Sequence, residues 1–176
     1  MAKKDALRDL QSRLAQRLQA ARTEGGSAAW LAVRVGSDHY LFPLAQSGEI
    51  FPLAALASVP HTQAWFMGVV NLRGGLYGVI DLDRFMRGAA GATRSEQAWS
   101  QARVVTLNAE LEVNGALLID ALIGLRRQDG FVRAVPAPAG SPAYFGQRMV
   151  DAQEVCWQEL NLQALAQTPE FLAIGA

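Results

Sequence analysis

Two apolar runs meet at a pair of glycines: Gly68-Val69-Val70-Asn71-Leu72-Arg73, then Gly74-Gly75, then Leu76-Tyr77-Gly78-Val79-Ile80-Asp81-Leu82. Short runs rich in β-branched residues suit strands, and glycine punctuation this dense does not suit a helix. Gly-Gly accepts the positive φ angles that a primed hairpin turn demands. The segment therefore predicts a hairpin turning at Gly74-Gly75, and it commits the flanking chain to a sheet.

The neighbouring segments repeat the pattern. Trp30 to Val35 alternates, Gly36-Ser37-Asp38 turns, and His39-Tyr40-Leu41-Phe42 returns. Glu49-Ile50-Phe51-Pro52-Leu53 is a further extended piece, and Pro60 to Gln63 is a loop leading to one helical turn over Ala64-Trp65-Phe66-Met67. Residues 87–100, rich in Gly, Ala, Ser and charge, predict a connecting loop. A second strand set begins near residue 102: Arg103 to Asn108, Leu111-Glu112-Val113, an Asn114-Gly115 turn, Ala116 to Ala121, Phe131 to Ala134 and Glu154 to Leu160. Pro136, Pro138 and Pro142 remove amide donors and make their segment a loop. Asn161 is placed to cap a short last helix, Leu162 to Ala166, with Pro169 ending it. Many short strands with helices only at the ends predict a barrel or sandwich with two similar lobes.

Residues 1–24 differ from the rest. Leu7, Leu10, Leu14 and Leu18 recur at helical steps over 3–23, and Gly25-Gly26 closes the helix. This segment holds six bases against three acids, so it carries +3 and the remainder −3 of a net charge of zero. Both lysines, Lys3 and Lys4, lie in it, which leaves no Schiff-base or phosphate-loop lysine in 28–174. Net neutrality argues against a phosphate-backbone partner. No apolar stretch reaches the length of a membrane span, and no signal-type apolar region follows Met-Ala-Lys-Lys-Asp, so a cytoplasmic chain is expected.

The catalytic inventory is thin. Cys156 is the single cysteine, read as a buried inert thiol, and the only histidines, His39 and His61, read as exposed. No serine elbow, metal-ligating histidine pair or phosphate-loop spacing occurs. Asp81 with Asp83, and Glu110 with Glu112, share strand faces and read as surface carboxylates. Asp120, inside Leu117-Leu118-Ile119-Asp120-Ala121, needs a partner, for which Arg73, Arg126 and Arg127 are candidates. An enzyme using Asp81, Asp83 or Asp120 with a histidine remains one reading. A structural, membrane-proximal module acting through the basic helix is another.

The wording from Trp65 to Leu82, with Gly68, Asn71, Leu72, Arg73, Gly74, Ile80, Asp81 and Leu82, resembles the CheW-like chemotaxis adaptors. Tyr40-Leu41-Phe42-Pro43-Leu44 followed by Glu49-Ile50, and Arg103-Val104-Val105 with Leu117-Leu118-Ile119-Asp120, extend the likeness across about residues 28–170. Within that family the N-terminal helix and the closing Trp157 to Leu172 wording are similar to the adaptors of type IV pilus (twitching) systems. The resemblance implies a mainly β fold of two pseudo-symmetric five-stranded β-barrel lobes around a shared core. It implies a non-catalytic scaffold, with no cofactor, that couples a methyl-accepting chemoreceptor's cytoplasmic tip to a CheA-like histidine kinase. It further implies recruitment to membrane-associated polar chemosensory arrays without membrane insertion; a monomer in isolation is expected. Receptor helices would dock between the lobes, and the kinase would contact the end of one lobe. Arg73 is the principal interaction residue, with Asn71, Leu72, Gly74, Glu49, Ile50 and Asp81 as the other candidates. Phe66 and Tyr77 read as core.

Overall fold

The computed structural model describes residues 29–91 and 93–176, together with 13, 14 and 16. Apart from those three residues, which are helical, the amphipathic helix expected over 3–23 lies outside the described residues.

Among the described residues eleven strands form two sheets. The six-stranded sheet has the order β8 (Ala121–Arg127), β1 (Ala29–Val35), β2 (Asp38–Pro43), β11 (Cys156–Leu160), β10 (Phe145–Val150), β9 (Arg133–Val135). The five-stranded sheet has the order β3 (Ser47–Pro52), β6 (Arg103–Leu107), β7 (Gly115–Ile119), β5 (Gly75–Asp81), β4 (Phe66–Leu72). Each contains one parallel pair, β11 with β2 and β5 with β7, among antiparallel neighbours. The six-stranded sheet therefore combines the first two strands with the last four. The division into an early and a late strand set does not correspond to the two sheets.

Strand alternation places the core. From β1, Leu31, Val33 and Val35 join one cluster while Trp30 and Ala32 join another. From β7, Leu117 and Ile119 join the first and Ala116 and Leu118 a third. The first cluster takes side chains from both sheets and is the shared core. The other two lie on the opposite faces, so the central strands are apolar on both sides, as in buried sheets. Complete burial of a leucine such as Leu117, fully covered here, contributes about 1.5–3 kcal/mol.

Neither sheet closes into the expected five-stranded barrel. Among the described residues no ladder joins β3 to β4 or β8 to β9. At the β3 end, Pro52 lacks the amide that a ladder needs. At the β4 end, the register slips between Phe66 and Gly68, and Ala57 forms a single bridge to Val69 in place of a neighbouring strand. The sheet curls over the Val70, Leu72, Val79 cluster, and its two edges approach without hydrogen bonding to each other.

The helices are short: α1 (Leu82–Arg87), α2 (Glu96–Gln101), α3 (Leu162–Gln167) and α4 (Pro169–Leu172). Asp81, Ser95 and Asn161 cap α1, α2 and α3 by accepting the amide three residues on. Residues 87–100 thus hold helical structure, and Pro169 opens a helix at its first position instead of ending the chain's last one. Strands β8 and β10 lie mostly in segments that show no clean alternation. Leu111-Glu112-Val113 is not a strand: Glu112 takes a left-handed φ of 57°, and β6 and β7 connect through a longer loop than an Asn-Gly turn.

Candidate functional site

The β4–β5 hairpin forms one end of the five-stranded sheet. Leu72 pairs with Gly75, so the two-residue turn is Arg73-Gly74, one position earlier than the sequence suggests. Both residues have positive φ, 49° and 85°, as a type I′ turn requires. The Asn71 carboxamide oxygen accepts the Gly74 amide at 3.0 Å and holds the turn. Leu72 is buried beneath it and Leu76 is exposed beside it.

Glu49 reaches this turn from the opposite edge of the sheet. A register slip in β3 between Ser47 and Ile50 leaves the Glu49 amide donating to Thr106 Oγ1 at 2.8 Å, while Ile50 packs against the shared core. The Glu49 carboxylate meets Arg73 Nη1 at 2.7 Å, and the guanidinium lies 5.6 Å from the centre of the Phe51 ring. The pair spans the mouth of the curled sheet. Its side chains are 73% and 55% exposed, so the ion pair contributes at most about 1 kcal/mol. The exposed cation–π contact adds about 0.5–1 kcal/mol. Against these stands a cost of about 1–2 kcal/mol for a non-glycine residue in left-handed backbone. The terms roughly cancel. Fold stability gives little reason for arginine here, and an oriented, solvent-facing cation beside apolar surface is what the turn supplies.

Asp81 does not join this cluster. It ends β5 six residues beyond Gly75, the first residue after the turn, roughly 20 Å along the strand, and is buried. Arg94 grips its carboxylate with Nη1 at 2.6 Å and Nη2 at 3.0 Å, and donates from Nε to Asp120. Asp120 also accepts the Gly36 amide. Burial alone would pull the Arg94 pKa down, but hydrogen bonds and charge from Asp81 and Asp120 outweigh it and hold the pKa above its usual value. The partner of Asp120 is thus Arg94, not Arg73, Arg126 or Arg127. Arg126 lies over Trp157 instead, 5.2 Å from its ring. Arg94 was missed because its segment reads as loop; its signal was being the single charged residue in 88–95. Asp83 is buried as well, paired with Arg87 Nε at 3.1 Å, so neither member of the Asp81/Asp83 pair is a surface carboxylate.

The other candidate groups are scattered. His39 packs on Trp157 with ring centres 4.8 Å apart, and is only partly exposed. His61 is exposed in a loop whose backbone pairs with the last residues, far in sequence and element from the carboxylates. Cys156 is exposed, contrary to the buried thiol expected from its alternating strand, because it opens β11 at the sheet margin. Glu110 and Glu112 are exposed on a 3-10 turn and its end. Phe66 is core, and Tyr77 packs partly buried on the Val70, Leu72 cluster. Among the described residues no three His, Cys, Asp or Glu side chains are placed to hold a metal ion. No helix of the described residues is long and apolar enough to cross a membrane.

One buried carboxylate carries a pH prediction. Asp151 accepts from Trp157 Nε1 at 2.9 Å and from the Gln153 and Val155 amides at 3.0 Å each. The Trp157 bond, opposed by burial and aided by the two amides, holds its pKa below the usual carboxylate range. A depressed carboxylate stabilises the fold above its unfolded pKa, about 3.9, and loses that contribution as pH falls through its folded value. Acid titration followed by tryptophan fluorescence should therefore show a loss of stability below about pH 4. Asp151→Asn should be less stable at neutral pH and flatten that dependence.

A curled five-stranded sheet set against a six-stranded one, with a polar hairpin tip at one end, defines a class of two-sheet β domain. A family model for the CheW-like domain matches residues 29–170, and the chain belongs to that family. Protein PilI of Pseudomonas aeruginosa is 28% identical over 167 residues, covering 93% of this chain and 89% of that protein. The crystal structure of the scaffolding protein TtCheW from Thermoanaerobacter tengcongensis matches with a TM-score of 0.65 at 16% identity, covering 80% of this chain and 88% of that one, a likeness of fold. Family membership supports a scaffolding, non-catalytic role in general.

Proposed function

We propose that this chain is an adaptor that couples the cytoplasmic tip of a methyl-accepting chemoreceptor to a CheA-like histidine kinase, in a system controlling twitching motility by type IV pili. The observation that carries the reading is Arg73: an exposed cation held in strained left-handed backbone at the tip of a rigid hairpin. Such a group, beside Leu76 and Phe51, suits a charge-assisted hydrogen bond to a carboxylate or helix-end carbonyl framed by apolar contact. In this reading Arg73 is the anchor, Asn71 and Gly74 hold the turn, Glu49 orients the guanidinium, and Leu72 and Ile50 seat the two strands. Asp81 acts at a distance, by supporting the far end of β5. The pilus assignment rests on the similarity to PilI. The adaptor would work on the cytoplasmic side, recruited to polar receptor arrays.

The test is calorimetric titration of the full chain with a receptor cytoplasmic fragment and, separately, with the kinase regulatory domain. Binding to both is expected with Kd on the order of 10 μM or tighter, about −7 kcal/mol. No heat with either partner at several times that concentration would overturn the proposal.

A further inference from the structure

The two sheets are joined by only two chain crossings among the described residues: Leu44–Gln46, between β2 and β3, and the single residue Asp120, between β7 and β8. Arg94 sits at the second crossing. Its guanidinium forks onto Asp81, the last residue of β5 in the five-stranded sheet, and onto Asp120. Asp120 in turn accepts the Gly36 amide from the β1–β2 turn of the six-stranded sheet and donates its own amide to Arg34 O at 3.0 Å. One side chain, 5% exposed, therefore ties together both sheets and the crossing between them.

The chemistry is unusual for a simple filler. The two buried carboxylates share the one buried guanidinium, and the half-exposed Arg84 lies at the rim with Nε 3.8 Å from Asp81. Taking each ion out of water costs several kcal/mol, and packed apolar side chains often hold a core at least as well. What the ionic fork adds is direction: a planar guanidinium fixes two carboxylates at set angles, which an apolar contact does not. Among the described residues of 88–95 every one besides Arg94 is exposed or half-exposed, and the segment is rich in Gly and Ala. Beyond it, the Trp99 ring lies 5.2 Å from the Arg94 guanidinium.

We infer that Arg94 is a pin that fixes the relative angle of the two sheets, and that its release from Asp81 and Asp120 lets the sheets move about the Leu44–Gln46 and Asp120 crossings. The inference does not depend on the identity of any partner.

The test measures the angle directly. Spin labels are placed at Ile123→Cys on the six-stranded sheet and Leu76→Cys on the five-stranded sheet, both exposed positions, with Cys156→Ser removing the exposed native thiol. The parent should give a single narrow distance distribution by pulsed electron resonance. Arg94→Met should broaden or shift it, with an unchanged far-ultraviolet circular dichroism spectrum. Amide exchange at Gly36 should accelerate at least about tenfold, a change of about 1.4 kcal/mol in local opening, while Leu117 and Leu118 on β7 stay protected. Arg94→Lys, which keeps the charge but loses the fork, should show the same changes in weaker form. It carries the test if Arg94→Met does not fold. An unaltered distance distribution in a folded variant would overturn the inference. So would exchange that accelerates equally at Gly36 and on β7, the mark of global destabilisation.

Discussion

Replacing Arg73 with asparagine is expected to separate binding from folding. Asn-Gly is a favoured pair for a two-residue type I′ turn, so Arg73→Asn relieves the left-handed strain at the first turn position, where φ is 49°. The variant loses an exposed ion pair to Glu49 and the contact with Phe51, together about 1–2 kcal/mol, and regains a similar amount from the backbone. The melting temperature should therefore stay within about 4 °C of the parent, the shift that about 1 kcal/mol produces in a domain of this size. Receptor-fragment binding should weaken by about 30-fold or more, the roughly 2 kcal/mol typical of losing a central arginine anchor. Arg73→Glu should bind still more weakly, because it sets a negative charge against the carboxylate or carbonyl that Arg73 would bond. Calorimetry and a thermal melt on the same preparations decide the matter. Undiminished binding by Arg73→Asn would remove Arg73 from the interface. A melting temperature lower by much more than 4 °C would make the Glu49 pair a structural clasp across the mouth of the sheet.

The hairpin also shows how far sequence reasoning reaches. Its existence was legible from Gly68 to Leu82, as were the β1–β2 hairpin and the Asn161 cap, because each depends on residues close in sequence. Its register was not. Turning at Gly74-Gly75 instead of Arg73-Gly74 slides the pairing by two residues, which keeps Val70, Leu72 and Tyr77 on one face, so alternation does not choose between the two. The Asn71 carboxamide chooses, by bonding the Gly74 amide, and Gly75 lacks the Cβ that would lie 2.8 Å from the Tyr77 ring. Open sheets were illegible for a related reason. The parallel pairs β2–β11 and β5–β7 join segments far apart in sequence, and nothing in either segment names its neighbour. Asp120 announced its need for a cation through its apolar surroundings, but which arginine answers is a matter of tertiary geometry. Of the candidate interaction residues, Arg73, Asn71, Leu72, Gly74 and Glu49 gather at one end of the sheet, Ile50 lies next to Glu49 on β3, and Asp81 lies at the other end of β5. A family motif read as one unit thus divides into a tip and a support.

Gly68, the first residue of that motif, is expected to behave as the opposite of Arg73. Its φ is 130°, a region that side-chain-bearing residues rarely adopt, and a Cβ there would lie 2.3 Å from the Ala57 carbonyl oxygen. That oxygen accepts the Val69 amide at 2.9 Å, and the Ala57 amide donates back to Val69 O at 2.9 Å. These two bonds are what cover the outer edge of β4. Gly68→Ala therefore combines backbone strain of about 1–3 kcal/mol with a steric cost of similar size, so about 2–6 kcal/mol in all. For a chain of 176 residues the melting temperature should fall by roughly 5–20 °C. The bridge from Ala57 gives way more easily than the ladder to β5, since it is a single pair against a full hairpin. Once it opens, β4 presents unpaired amides and carbonyls to other molecules, a template for edge-to-edge association. Size-exclusion chromatography with light scattering should then show concentration-dependent oligomers of Gly68→Ala at temperatures below its melting point, where Arg73→Asn stays monodisperse. A Gly68→Ala variant that melts within about 2 °C of the parent would mean that residues 57 and 58 move aside at little cost, and that the Ala57 bridge does not guard the edge.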